Sequence, residues 1–456
     1  MEADIPRPAF PFLLLLVLIL LQAPLASAGV LEIELNKALD QSDRIASARQ
    51  NLRAAQERLG VAEKSMVLSS SLAVTGSAVQ SSTNDSSFNK ADNANVTLSV
   101  KQPLYDGGVA NAETRSTRLT IERARIALDQ AEQGVLQEAL SAYVNLVAAR
   151  DRVSLEQANV NRLEEYLKAT QVRVNVGEAT PTDLAATRAR LARARASLIT
   201  AQSDLDTAVE TYQSLMGTPP ANLQLPDLPA GMPATVIAAG DAALRSGLDQ
   251  RLARNDEKQA LVSLDKLTAS VRPMLELELK GKSAESNIDT RDSDEVSANV
   301  TFSMPLFPNS AVKAAARAAV ADHRASLFAE RDNARQARLN AENAQRRFLA
   351  QNAVIEAHEA ELEAAILFRN GIRSEVDFGL KTVLDVLDAE QDVVSAEVSL
   401  LLARRDRINA GFAVLASIGQ LSSETLGLSG DALAPDEAEI DSPIKLKPLP
   451  TLVYPE

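Results

Sequence analysis

The sequence repeats itself, and this duplication limits the chain to a fold built from two similar halves. Gly177 recurs 202 residues later as Gly379, and the segment Asn-Val-Thr-Leu-Ser at 95–99 recurs as Asn-Val-Thr-Phe-Ser at 299–303. Further matches keep the same order at offsets of 202 to 205 residues along the chain. Such regular spacing predicts that both halves contain the same succession of helices and strands.

Each half contains a region in which apolar and polar residues alternate, as in a strand with one apolar face. The alternation is clear at residues 96–101, 275–280 and 300–304, and it is weaker around Leu72 and Val74. Polar, turn-forming residues at 81–94 and 283–295 are expected to join the two strands of each pair. The sequence therefore predicts four strands in two hairpins.

The regions that flank the strands have the spacing of coiled-coil helices. Residues 184–215 carry a heptad seam of large residues alternating mostly with alanine, and residues 109–176 contain no proline. A helix from Val109 to Val176 would be about 100 Å long. A shorter helix is predicted before the strands, at about Leu39 to Ser65. Rods of this length with apolar seams need neighbours on both sides.

The two ends of the chain have sequence patterns that differ from those of the repeats. An apolar run at 12–21 precedes the small-residue site Ala26-Ser27-Ala28, which predicts a cleavable signal peptide over 1–28. A run of this length would cover about 15 Å, half of a bilayer core. We expect a first repeat at 29–217, a Pro- and Leu-rich linker at 218–238, a second repeat at 239–419, and an acidic, Pro-rich tail at 420–456 that is disordered beyond Gly430.

Composition excludes several functional classes. A formal net charge of −14 disfavours nucleic acid as a partner, and the absence of cysteine removes disulfides, thiol catalysis and a lipid attachment site. The two histidines, His323 and His358, are expected to be solvated. No nucleotide-binding or metalloprotease motif occurs. We therefore predict a protein that is not an enzyme and that has no cofactor and no resident metal.

Four strands cannot close a barrel, and this predicts an oligomer. An open strand edge in lipid leaves backbone hydrogen-bonding groups unsatisfied at a cost of several kcal/mol each, and known membrane barrels have about eight strands or more. Two copies of the chain are the minimum, and three copies would supply twelve strands.

Two segments carry a resemblance to a known family. The duplicated layout, the run Pro-Leu-Tyr-Asp-Gly-Gly at 103–108 and the tip sequence at 379–389 resemble the TolC family of outer-membrane efflux proteins, over about Leu31 to Gly419. The resemblance implies a mostly α fold: a homotrimer with an α-barrel of coiled-coil helices crossing the periplasm and a shared twelve-stranded β-barrel in outer-membrane lipid. It also implies a passive exit duct for efflux or type I secretion, with a periplasmic adaptor (a membrane fusion protein) and an inner-membrane ABC or RND-type pump as partners.

The resemblance also assigns candidate site residues near the periplasmic end. Asp385 and Asp388 match acidic rings that narrow the aperture and could bind blocking cations, whereas a solvated helix face is the alternative. Asp183 and Lys381 match a network that holds the end shut. Val376 stands where the family has an aromatic gate residue.

The tips themselves are candidate docking surfaces for the adaptor. Glycine and threonine at matching turn positions are also explained by turn chemistry alone, so both interpretations stay open. The candidate docking residues are Val176, Gly177, Thr180, Gly379, Leu380 and Thr382.

Two other functions remain as alternatives to the channel. A secreted coiled-coil scaffold would remain in a soluble fraction, whereas a channel would pellet with outer membranes. A periplasmic adaptor would contain one helical hairpin rather than a duplication. The cargo cannot be predicted, because a wide polar duct selects little.

Overall fold

The computed structural model describes residues 26–82, 88–220, 223–228, 231–286, 293–306 and 310–428. Most of the predicted signal peptide and of the tail, residues 1–25 and 429–456, lies outside these ranges. The elements of the described part are α1 (Ala26–Gln41), α2 (Asp43–Glu63), β1 (Ser69–Ser82), β2 (Phe88–Tyr105), α3 (Val109–Asn175), α4 (Pro181–Met216), α5 (Val236–Ser246), α6 (Leu248–Ala269), β3 (Met274–Ser286), β4 (Ser293–Ser303), α7 (Ser310–Asp377) and α8 (Val383–Ser417).

The order of elements repeats, and each half starts with one more helix than the sequence predicted. Helix α1 ends at Gln41, and the Ser42 side chain accepts a hydrogen bond from the Ile45 N–H at 3.4 Å to cap α2. Helix α5 begins at Val236, inside the range expected to be a linker, and Thr235 caps it. None of the helices described here combines the length and hydrophobicity needed to cross a membrane.

The four strands form one antiparallel sheet in the order β1-β2-β3-β4. The predicted connecting loops, 81–94 and 283–295, were too long. Strand β1 continues to Ser82 and β2 starts at Phe88, while β3 continues to Ser286 and β4 starts at Ser293. Polar residues continue these strands because the ladder hydrogen bonds form between backbone groups, whatever side chains the residues carry.

The sheet has one apolar face, which is exposed in a single chain. Leu98 lies opposite Leu72 on β1 and Gly281 on β3, and Leu277 lies opposite Val300. Leu72 is 67% exposed and Val300 is 66% exposed. The other face is polar and includes the pair Lys101 and Glu278, with Nζ and Oε1 3.6 Å apart. Within the part of the chain that the structure describes, each outer strand, β1 or β4, pairs with one neighbouring strand.

The long helices lie in two successive rows. Near the sheet, α3 pairs with α2 through Arg118 and Glu63 and with α6 through Arg115 and Asp265, and α6 packs on α7. Away from the sheet, α3 packs on α4 and α8, and α8 packs on α7. The order of the helices is therefore α2–α3–α6–α7 in the row near the sheet and α4–α3–α8–α7 in the row away from the sheet. His323 of α7, expected to be solvated, is half-buried with Nε2 2.9 Å from Glu257 Oε1 on α6.

The main hydrophobic core lies where the two rows meet. Leu136, Leu140, Tyr143, Tyr212 and Leu415 are almost fully buried there. Residues 420–428, the start of the predicted tail, join this core, and the Ser423 backbone N–H donates to the buried Glu132 carboxylate at 3.0 Å. The core thus fixes the two halves to each other at mid-length.

Candidate functional site: the two helical hairpin tips

Two turns of the same geometry end the rods opposite the sheet. Residues 176–180 connect α3 to α4, and residues 378–382 connect α7 to α8. Gly177 and Gly379 have φ of 82° and 74°, a left-handed conformation that favours glycine. Thr180 and Thr382 cap the helices that follow, since each side chain accepts a hydrogen bond from the backbone N–H of the third residue of its helix.

The aspartates three residues later complete two capping boxes. The Thr180 N–H and hydroxyl donate to the Asp183 carboxylate at 2.9 and 2.8 Å, and those of Thr382 donate to Asp385 at 2.8 and 2.7 Å. These hydrogen bonds hold the pKa of both carboxyls below the ordinary 3.8; nearby Lys381 lowers that of Asp385 further by a smaller amount. Both side chains are therefore directed back onto their own helix start.

The lowered pKa values give a pH prediction. A carboxylate with a depressed pKa contributes stability that is complete above the ordinary value of 3.8 and is lost as the pH falls through the folded pKa. We expect Asp385→Ala to speed amide exchange at the start of α8 at neutral pH, and the difference from the unmodified chain to shrink below pH 3.8. Asp183→Ala is the matched variant for α4. A difference that persists unchanged in acid would contradict this assignment.

Asp388, the other predicted aperture residue, connects the two hairpins. Its carboxylate forms an ion pair with the Arg190 guanidinium of α4, while the Asp388 side chain remains 65% exposed. Asp385 and Asp388 lie one turn apart on α8, but within one chain only Asp388 reaches the neighbouring hairpin.

A buried carboxylate forms the centre of a second connection. Glu390 of α8 is 3% exposed, and its oxygens lie 3.7, 3.8 and 3.7 Å from guanidinium nitrogens of Arg162, Arg369 and Arg373. Arg373 also donates to the Tyr166 hydroxyl at 3.1 Å. These residues attach α8 and α7 to α3. The separations exceed hydrogen-bond length, so the attraction acts mainly through space.

Sequence reasoning missed these connecting residues, although one signal was available. Glu390 falls four residues after the buried Val386 and three before the buried Val393, so it is a charge in an apolar helix stripe. Among the described residues, no hydrogen bond or ion pair joins Asp183 or Lys381, which were predicted to hold the end shut, to the other hairpin of the chain. Val376 packs near Tyr166 and lines a cavity of about 200 Å³.

The tips expose apolar side chains. Val176 and Leu380, both predicted, are 65% and 74% exposed, and Phe378, which was not predicted, is 81% exposed. Turn chemistry accounts for the glycine and threonine positions but not for these three residues. Exposed apolar side chains clustered at one end are typical of a protein contact surface.

The cross-hairpin contacts show that the two tips are staggered. Arg190 is nine residues from the start of α4 at Pro181, whereas its partner Asp388 is five from the start of α8 at Val383. Tyr166 is nine residues before the end of α3, whereas Arg373 is four before the end of α7. The α3–α4 tip thus projects beyond the α7–α8 tip by four to five residues, or about 7 Å.

No group of three or more His, Asp or Glu side chains within the described ranges is arranged to hold a metal ion.

Comparison with known proteins identifies the family. The family model "Outer membrane efflux protein" matches residues 35–218 and 240–420. Outer membrane efflux protein BepC of Brucella suis is 26% identical over 355 residues, 75% of each chain. Alkaline protease secretion protein AprF of Pseudomonas aeruginosa is 27% identical over 334 residues, 69% of this chain and 67% of AprF.

Solved structures show the same fold. The outer-membrane channel OprN aligns with a TM-score of 0.74 at 21% identity, covering 86% of this chain and 90% of OprN. The open state of the MtrE outer membrane channel of Neisseria gonorrhoeae aligns with a TM-score of 0.72 at 19% identity, covering 86% and 89%. Because the family model matches both halves over most of their length, the chain belongs to the outer membrane efflux protein family.

Proposed function

We propose that three copies of the chain form a continuous duct, with the sheets joined into a twelve-stranded barrel and the helical rods into a tunnel that ends at the hairpin tips. As a member of its family, the chain is located in the outer membrane and is an exit duct for efflux or secretion. The trimer and the roles of the tips are the proposed part. In this proposal residues 29–217 and 239–419 are the two repeats, and 218–238 links them.

The sheet supports the oligomer. Its apolar face is exposed in one chain, and among the described strands β1 and β4 each pair along one edge and leave the other edge open. Lipid would cover the apolar face, and joining β4 of one copy to β1 of the next removes every open edge. Three copies give twelve strands, within the range of known membrane barrels.

The tips support an aperture and a docking surface. Threefold symmetry would place Asp385 and Asp388 of all copies around one axis, where they would attract cations. Exposed Val176, Phe378 and Leu380 offer an apolar contact for a periplasmic adaptor that is coupled to an inner-membrane ABC or RND-type pump. The duct itself needs neither cofactor nor catalytic residue, because its partners would supply the energy.

The two relatives are named after different kinds of transport. BepC is named as an efflux protein and AprF as a protease secretion protein. We propose passive transport of proteins or small molecules through this duct, with the pump choosing the cargo. The identity of the adaptor that co-purifies with the protein would separate transport of small molecules from secretion of proteins.

The aperture is tested by removing its charges. We expect Asp385→Ala with Asp388→Ala to raise single-channel conductance in planar bilayers and to weaken block by divalent cations, because both carboxylates would line the narrowest part. Arg190→Gln is the matched control, since it breaks the ion pair with Asp388 but keeps both carboxylates. Unchanged conductance and block in the double variant would remove these residues from the aperture.

The duct as a whole is tested by fractionation and size. We expect the protein to pellet with outer membranes, to require detergent for extraction and to behave as a trimer in it. A stable monomer in the soluble fraction would favour the scaffold alternative instead.

A further inference from the structure

A groove of about 500 Å³ lies beside the main core, at mid-length of the helical rods. Three separate parts of the chain line it: α1, the irregular segment 223–228 and residues 425–428. The core residues Tyr143 and Phe412 line it as well. We call it the mid-length groove. Its volume is typical of sites that hold a small ligand or a few side chains.

The segment 223–228 leaves much of its backbone without a partner. Two hydrogen bonds attach the start of the segment to α3: Arg150 donates to the Leu223 carbonyl oxygen at 2.6 Å, and the Gln224 N–H donates to the Tyr143 hydroxyl at 3.3 Å. The backbone of the next four residues forms no hydrogen bond to another described residue. Open backbone groups beside apolar side chains suit a second chain segment, which can pair with the groups and cover the side chains.

The described part of the chain ends at this groove. Leu428, the last described residue, lines the groove, and both Leu421 and Leu428 are buried in the main core. Residues 429–456 therefore start at the edge of the groove. The first fifteen of them could span about 50 Å when extended, which is far more than a return to the groove requires. The residues that follow can thus reach the groove of their own copy.

Residues 444–456 differ in composition from the residues just before them. Residues 429–443 contain five acidic side chains and no basic one. Residues 444–456 contain two lysines and one glutamate, together with five Ile, Leu or Val residues, one tyrosine and three prolines. Proline restricts its own backbone and that of the preceding residue, so such a run loses little entropy on binding. Apolar, Pro-rich segments are typical ligands of grooves that contain aromatic side chains.

The charges favour residues 444–456 as the occupant of the groove. Glu32 and Asp227 are the charged residues among the described ones that line it, and both are acidic. Lys445 and Lys447 lie next to the apolar run of the later segment. The acidic residues of the earlier segment would instead be repelled by the same carboxylates. Charge therefore selects the later segment over the earlier one.

We propose that residues 444–454 bind in the mid-length groove of their own copy, with their apolar side chains against its leucines and with Lys445 and Lys447 beside Glu32 and Asp227. The bound segment would connect the start of the first repeat to the end of the second, and it would cover apolar surface that is otherwise open to solvent. This contact does not depend on how many copies form the duct.

A weak affinity is sufficient, because the segment is tethered to the groove. A flexible connection of fifteen residues gives an effective concentration in the millimolar range. With a dissociation constant of about 100 μM, the segment would occupy the groove about nine-tenths of the time. Amide groups that it covers would then exchange about tenfold more slowly than in a chain whose segment cannot bind.

Amide exchange tests the contact in the full chain. We expect Leu449→Asp with Leu452→Asp to speed exchange in residues 223–228 by about tenfold, measured by mass spectrometry at sub-second labelling times. Asp436→Ser with Glu437→Ser is the matched control, because it changes the connecting residues and keeps the apolar run; it should leave this exchange unchanged. The same rate in the Leu449 and Leu452 variant as in the unmodified chain would overturn the proposal.

A disulfide identifies which copy supplies the segment, and the natural absence of cysteine removes any background. Gln224 lines the groove and is exposed. We expect Gln224→Cys with Leu449→Cys or with Leu452→Cys, after oxidation, to form a disulfide within one copy, identified by peptide mass mapping. Gln224→Cys with Ala434→Cys is the control, since residue 434 is closer along the chain and chance collisions favour it.

The yields decide between the outcomes. A yield at position 449 or 452 that is several-fold higher than at position 434 supports binding in the groove. Equal yields, or a higher yield at position 434, would show that the segment only collides with the groove, and this overturns the proposal. Covalent dimers and trimers on a non-reducing gel would mean that the segment enters the groove of a neighbouring copy, which overturns its assignment to the same copy.

Discussion

Glu390→Ala is expected to separate the two hairpins of a chain and to destabilise their lower part by about 3 kcal/mol, because removing one member of a buried charge cluster leaves the others uncompensated. Glu390 is 3% exposed and is the carboxylate shared by Arg162, Arg369 and Arg373. Without it the three guanidinium groups repel one another across the α3–α7–α8 junction. The release should appear as faster amide exchange in residues 155–200 and 362–400, with the central core unchanged.

Two further variants identify the cause of the effect. Glu390→Gln keeps the shape and removes the charge, so it should reproduce most of the loss. Glu397→Ala changes a half-buried carboxylate seven residues further along α8 and should leave exchange at the tips as in the unmodified chain. If Glu390→Gln behaved like the unmodified protein, packing rather than charge would hold the hairpins together. In bilayers, we expect Glu390→Gln to raise the frequency of open events.

Gly107→Ala is expected to cost about 2–4 kcal/mol, since two penalties coincide at this position. Gly107 lies at the junction between β2 and α3 and has φ of 72°, which disfavours alanine. An added Cβ would also lie 2.7 Å from the Ala269 carbonyl oxygen and 2.9 Å from the Arg272 Cβ. Ala269 is the last residue of α6 and Arg272 lies between α6 and β3, so the substitution would push the two halves apart directly below the sheet.

Gly108→Ala provides the matched control for this position. Its φ of 96° carries a similar conformational penalty, but the nearest atom to an added Cβ is the end of the flexible Arg272 side chain at 3.7 Å. Thermal unfolding followed by circular dichroism, together with the yield of assembled protein, should rank the two variants. Equal losses would show that conformation alone, and not the close approach to Ala269, determines the requirement for glycine.

The sequence predicted the regular parts of the fold well. Helix α3 was expected from Val109 to Val176 and spans Val109–Asn175, because a long heptad pattern without proline leaves few other choices. The strand ends were wrong, since residues 88–94 and 283–286 are too polar to show which face they occupy. Pairing with a neighbouring strand extends them, and that information is not local.

The residues of the candidate site differ in the same way: those determined by local sequence could be predicted, whereas those determined by contacts between distant residues could not. Thr180 and Thr382 could be predicted as caps because a capping box needs only residues three positions apart. The pairs Arg190–Asp388 and Arg162–Glu390 join residues about two hundred positions apart, and no local pattern selects them. The adaptor-docking role of the tips and the aperture role of Asp385 and Asp388 stay predictions.

The stagger between the tips has a consequence for whatever is seated on the rim. In a ring of three copies the end of the helical tunnel would be uneven, because the three α3–α4 turns would extend about 7 Å further than the three α7–α8 turns. A flat-ended partner would rest on the three tall turns and leave the recessed Phe378 and Leu380 uncovered. Only a partner whose contacting segments reach two different depths, alternating around the ring, would contact both sets of turns and close the joint completely.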